Sequence, residues 1–128
     1  LIGFTTDGDV FGGFYSIRIN AQNRWYFDPN LFAFSFESHG RCKTPAKFPS
    51  RGKTYVYFQE GSMYGSVLFG GTGSTGFWLG GVSDNSYCCN IGNYFRGLSH
   101  TTLTGSSTTS ASAPPYHHCT RLVALQLS

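Results

Sequence analysis

The chain reads as a mainly β protein, a two-layer sandwich of antiparallel sheets with few short helices. Its 128 residues include 17 Gly, 12 Phe and 8 Tyr against only 12% charged residues, a composition that favours strands and tight turns over helices. Several short stretches alternate with period two, the mark of half-buried strands. Turn residues separate these stretches at short intervals, so the strands are short, numerous and antiparallel, and two packed sheets are needed to bury a face of each. A chain of this length forms one domain around one core, burying roughly two thirds of the surface its unfolded form exposes.

Residues 1–4 and 10–19 pair as a hairpin through residues 6–9 (TDGD), where Asp7-Gly8 is a strong hairpin-turn dipeptide. The second strand places Phe11, Tyr15, Ile17 and Ile19 on one side, while Gly12 and Gly13 allow a bulge or the close approach of another layer. Residues 31–36 (LFAFSF) give the clearest alternation, with Phe32, Phe34 and Phe36 on one face and small Ala33 and Ser35 on the other, as in a central strand. Residues 54–59, 64–69 and 76–80 follow as two successive hairpins, the first turning through residues 59–62 (QEGS). The closing strand is residues 121–127, with Val123, Leu125 and Leu127 on one face. Residues 105–115 are Ser/Thr/Ala-rich, end in Pro114-Pro115 and read as a flexible surface loop. The sequence starts at Leu1, inside a strand, so residues 1–128 read as a single domain and a piece of a longer polypeptide.

Within residues 68–79 (LFGGTGSTGFWL), Gly71, Gly73 and Gly76 spell the G-x-G-x-x-G of a phosphate-binding turn. Such a turn must open a helix, whose free N–H groups receive the phosphate. Phe77-Trp78-Leu79-Gly80-Gly81 does not begin a helix, so the glycines read as a strand-to-strand connection that lets Phe77 or Trp78 enter the core.

The order of these features resembles the TLDc domain of eukaryotic oxidation-resistance proteins. The matching stretches are residues 7–14 (DGDVFGGF), residues 31–36 (LFAFSF) and the glycine-rich turn into Phe77-Trp78-Leu79. Residues 88–93 (CCNIGN), followed by Leu98-Ser99, are similar to a further stretch of the family. The chain departs from the family pattern at Thr120-Arg121, where many members carry an acidic residue, and in lacking the helices and strand usual upstream of the Asp-Gly hairpin. The resemblance implies a sandwich of two antiparallel sheets with short helices at its margins. It implies no active site and no cofactor, and it points to a non-enzymatic interaction module acting in the oxidative-stress response or regulating the vacuolar proton-pumping ATPase through a protein partner.

Three groups of residues invite chemistry of their own. His117, Cys119 and one of Cys88 or Cys89 could supply metal ligands if they converged, although no spacing matches a zinc finger and neighbouring residues of an extended segment point to opposite sides. The same Cys88 and Cys89 could act in a thiol-based antioxidant protein, given a cationic setting that lowers a thiol pKa; otherwise they are packing residues. Arg41, Lys43, Lys47, Arg51 and Lys53 lie in one acid-free segment with Tyr55 just after it. That segment is either a solvated loop kept short by Pro45 and Pro49 or a surface that grips an acidic protein or the phosphates of a nucleic acid. The net charge of +3 is small for a nucleic-acid binder. No Gly-x-Ser-x-Gly elbow frames a serine that Asp28 or Asp84 could serve. No apolar run approaches the roughly 20 residues that span a bilayer, so membrane insertion is not expected. Four cysteines with irregular spacing suit reduced thiols and a cytoplasmic setting.

Overall fold

The computed structural model describes residues 1–59, 67–71, 75–79, 86–99, 102–104, 116–117 and 119–127, with the backbone alone described for residues 75, 86–89 and 116–117. These residues form β1 (Ile2–Thr5), β2 (Val10–Phe14), β3 (Trp25–Phe27), β4 (Phe32–Glu37), β5 (Ala46–Pro49), β6 (Tyr55–Phe58), β7 (Val67–Gly71), β8 (Thr75–Leu79), β9 (Ser86–Cys89), β10 (Tyr116–His117) and β11 (Cys119–Val123). A single 3₁₀ turn spans Ile91–Asn93. The first sheet runs β11-β1-β2-β4-β5 and the second β10-β9-β8-β7-β6-β3, every pairing being antiparallel. The molecule is therefore a mainly β, two-layer sandwich. No helix among the described residues is long and apolar enough to cross a membrane.

Alternation sends Phe11, Ala33, Phe48, Val56, Val67, Phe69, Phe77 and Leu79 into the space between the sheets, where all are buried. Phe11 of the first sheet meets Phe77 of the second edge-on at 5.8 Å, and Phe77 in turn stacks on Phe69 at 5.2 Å. Such ring pairs add to the transfer free energy of the buried area. Gly13 is what lets the layers close here: a Cβ at that position would stand 2.6 Å from the Phe69 ring. After the 3₁₀ turn, Phe95, Leu98 and Leu103 are buried in the same core.

The glycine-rich stretch is the β7–β8 hairpin, with Gly70 paired to Gly76 and Leu68 to Trp78. Gly76 has φ +139°, and a Cβ there would collide with the carbonyl oxygen of Phe69 at 2.2 Å. Phe77 enters the main core, while Trp78 is buried on the opposite side of the sheet with Leu68, against Trp25 and Tyr57. Thr75–Leu79 is a strand, not a helix.

The structure corrects the expected boundaries in three places. β2 ends at Phe14 rather than continuing to residue 19, because the buried Asp28 carboxylate takes the Ser16 backbone N–H at 2.6 Å and the Ser16 hydroxyl at 2.8 Å. An N–H held by a carboxylate cannot serve a sheet ladder. Tyr15, Ile17 and Ile19 still pack against the core, but from a loop. β11 covers Cys119–Val123 instead of residues 121–127, since the last pair with β1 is Ile2–Val123; Leu125 and Leu127 are 64% and 72% exposed. Finally, β5 lies inside the basic segment that reads as a loop, at a sheet edge where Pro49 leaves no central ladder unpaired. The expected loop over residues 105–115, residues 60–62 of the expected turn at 59–62 and residues 64–66 of the expected strand at 64–69 lie outside the described residues.

Candidate functional site

β4 sits between β2 and β5 and presents its small side chains, Ala33 and Ser35, to the core, both fully buried. Its large ones, Phe32, Phe34 and Phe36, stand on the outer side. Room decides this orientation. Phe11 and Phe48 lie beside Ser35 and Ala33 in register and already fill the inner layer.

On the outer side, Phe14 of β2 stacks on its register partner Phe32 at 4.8 Å. Phe32 meets Phe34 at 6.4 Å, and Phe34 meets Phe36 at 4.9 Å. The four rings form a continuous ladder, and Phe34 lies across Gly12, where a Cβ would come within 2.8 Å of the ring edge. Phe36 is 49% exposed. A groove of about 430 Å³ follows this ladder, walled by Leu1, Ile2, Pro45, Leu125 and Leu127, and Lys47 alone among its lining residues carries a polar side chain.

Two cations flank the aromatic face. Lys47 of β5 places Nζ 4.2 Å from the Phe32 ring centre, and Arg121 of β11 lies 5.4 Å from the ring centre of Phe4. Both contacts are cation–π interactions. Among the described residues neither cation has a carboxylate within 4.0 Å; the acidic side chain in ion-pairing range of a base there is Asp9. Glu37, at the end of β4, accepts the backbone N–H of His39 at 2.9 Å. The Leu1 ammonium donates to the Gly13 carbonyl at 3.0 Å, and burial holds its pKa below the usual α-amino range.

The basic segment divides among several structural settings instead of forming one patch. Arg41 pairs with the buried Asp9 carboxylate and donates from Nε to Thr102 O at 2.9 Å and from Nη2 to Leu103 O at 2.8 Å. His39 Nδ1 lies 2.9 Å from the same Asp9 oxygen. Asp9, Arg41 and the turn at residues 102–104 are thereby fastened to one another. Arg51 donates to Gly92 O at 3.0 Å, tying the end of β5 to the 3₁₀ turn. Lys43 and Lys53 are exposed. Tyr55 belongs to the second sheet, 6.3 Å from Trp25 and 5.4 Å from Phe27 on its outer side. Lys47 is thus the member of the segment that joins the aromatic ladder, which residue-type spacing alone does not single out.

Of the residues considered for a metal, Cys119 is buried on β11 in the first sheet and donates its thiol to Arg121 O at 3.4 Å. Cys88, Cys89 and His117 lie on β9 and β10 of the second sheet, and their side chains are outside the described residues. No group of three possible ligands comes together among the described residues. Asp28 also has a structural occupation: its two oxygens accept three donors, from Ser16 N, Ser16 Oγ and Asn30 N. No protein-family model matches the chain, and comparisons with curated proteins and with solved structures give no match either.

Proposed function

We propose that the chain is a non-enzymatic interaction module of the TLDc type, working in the cytoplasm in the oxidative-stress response or in regulation of the vacuolar proton-pumping ATPase, and that it takes its protein partner on the outer face of the first sheet. The observation that carries this reading is the ladder Phe14–Phe32–Phe34–Phe36, a contiguous aromatic surface facing away from the core. Monomeric proteins seldom leave such a patch to water, and the hydrophobic free energy withheld there is available to a partner. The family resemblance supports the module type, because its three motifs account for the β1–β2 hairpin, β4 and the β7–β8 hairpin. The buried carboxylates Asp9 and Asp28 are both engaged by structural donors.

Co-sedimentation with the purified peripheral sector of the proton pump tests the reading. The wild-type chain is expected to be retained, and Phe36→Ser to lower retention at least tenfold while leaving the unfolding midpoint in place. Absence of retention, or equal retention of both proteins, contradicts it.

A further inference from the structure

The geometry points to an acidic amphipathic helix as the partner segment that fits this face, an inference that rests on the reading of the face as a docking surface. The ladder provides a length. From Phe32 to Phe36 the strand advances about 13 Å, close to the about 12 Å between apolar anchors at positions i and i+8 of a helix. The groove provides the chemistry. Its floor and walls are aromatic and aliphatic side chains, with Lys47 as the polar group at its rim.

Charge then selects among possible occupants. Lys47 and Arg121 lie on opposite edge strands of the five-stranded sheet, separated by roughly 19 Å across four inter-strand spacings. A helix about 10–12 Å across fits between them and can direct carboxylates from its flanks toward both. Neither cation is neutralised by a described carboxylate, so an acidic helix adds ion pairs at the border of an apolar contact, where partial desolvation strengthens them. A second copy of this chain would instead bring the same two cations toward its own. Single-stranded nucleic acid would find aromatic rings but few hydrogen-bonding groups to read and two widely spaced cations to hold its phosphates. An added β-strand needs a free sheet edge, and this surface is a sheet face.

The test is selection from a displayed library of amphipathic helices with leucine fixed at the apolar positions and Glu, Gln or Lys randomised on the flanks, using the whole chain as bait. The expected result is Phe36-dependent enrichment, with Glu favoured over Lys at the flanking positions by at least tenfold. A Lys47→Glu, Arg121→Glu double variant should reverse that preference; both side chains are exposed, so the fold should tolerate the change. Phe36-dependent binding with no preference for Glu, or a preference the double variant does not move, overturns the acidic helix and leaves the docking face standing. Failure to enrich any Phe36-dependent helix also overturns the inference, while the pump measurement judges the docking face separately. Phe36-dependent dimerisation in sedimentation equilibrium, or Phe36-dependent binding of a labelled oligonucleotide in place of the helices, overturns it in favour of those occupants.

Discussion

The guanidinium of Arg41 pairs with the buried carboxylate of Asp9, 32 residues away in sequence, and holds two carbonyls of the turn at residues 102–104 with the same head group. A residue that looks like part of a basic surface is a structural clamp. Arg41→Ala should lower stability by about 3 kcal/mol in urea unfolding, because it strands a buried charge together with two carbonyl acceptors. Arg41→Lys should recover only part of the loss, since an ammonium cannot reproduce the planar fork. An unchanged midpoint in Arg41→Ala would refute the clamp.

Asp28 makes a comparable prediction for the loop after β2. Its replacement by Ala leaves the Ser16 N–H, the Ser16 hydroxyl and the Asn30 N–H without their acceptor, at an expected cost of about 3 kcal/mol or more. Native-state hydrogen exchange should show the Ser16 and Asn30 amides losing protection before the β6–β7 pairing does. Loss of protection only through global unfolding, at unchanged stability, would count against this role.

Ser35 predicts a gain. Its hydroxyl is fully buried on the inner face of β4 and has no hydrogen-bond partner among the described residues. Ser35→Ala removes an unsatisfied polar group at little cost in volume, so stability should rise by about 1 kcal/mol. A fall in the urea midpoint would mean that the hydroxyl contributes something its geometry does not reveal.

Gly13 sets how closely the sheets approach. A methyl group there must displace the Phe69 ring, which stands 2.6 Å from the Cβ position, and Gly13→Ala should destabilise by about 2 kcal/mol through overpacking. Combining it with Phe69→Leu should give a smaller loss than the two single losses added, because the smaller side chain relieves the clash. Simple additivity would refute the contact.

These residues also mark how far the sequence could be read. Period two locates β1, β2, β4, β6, β7, β8 and β11, because each sends successive side chains to opposite faces of its sheet. It passes over β3, whose WYF is aromatic throughout, β5, whose AKFP contains a proline, β9 and the two-residue β10; strands of two to four residues carry too few alternations. Alternation also separates the faces of β4 without saying which is inside. Orientation depends on neighbours brought alongside by the fold: Phe11 and Phe48 occupy the inner layer, which leaves space only for Ala33 and Ser35 between them. The basic segment misleads for a related reason. Nearness in sequence suggests a single patch, whereas an extended strand and two turns send Arg41 to Asp9, Lys47 to Phe32 and Arg51 to Gly92.

The proposed docking face can be addressed with two phenylalanines of nearly equal exposure, Phe36 at 49% on the outer side of the first sheet and Phe27 at 51% on the outer side of the second. A photo-crosslinking phenylalanine analogue placed at either position probes opposite sides of the sandwich with matched access to solvent. On illumination with the purified peripheral sector of the proton pump, the analogue at position 36 should give a protein adduct and the analogue at position 27 should not. Equal adducts from both positions, or an adduct from position 27 alone, would contradict a partner bound on the aromatic ladder.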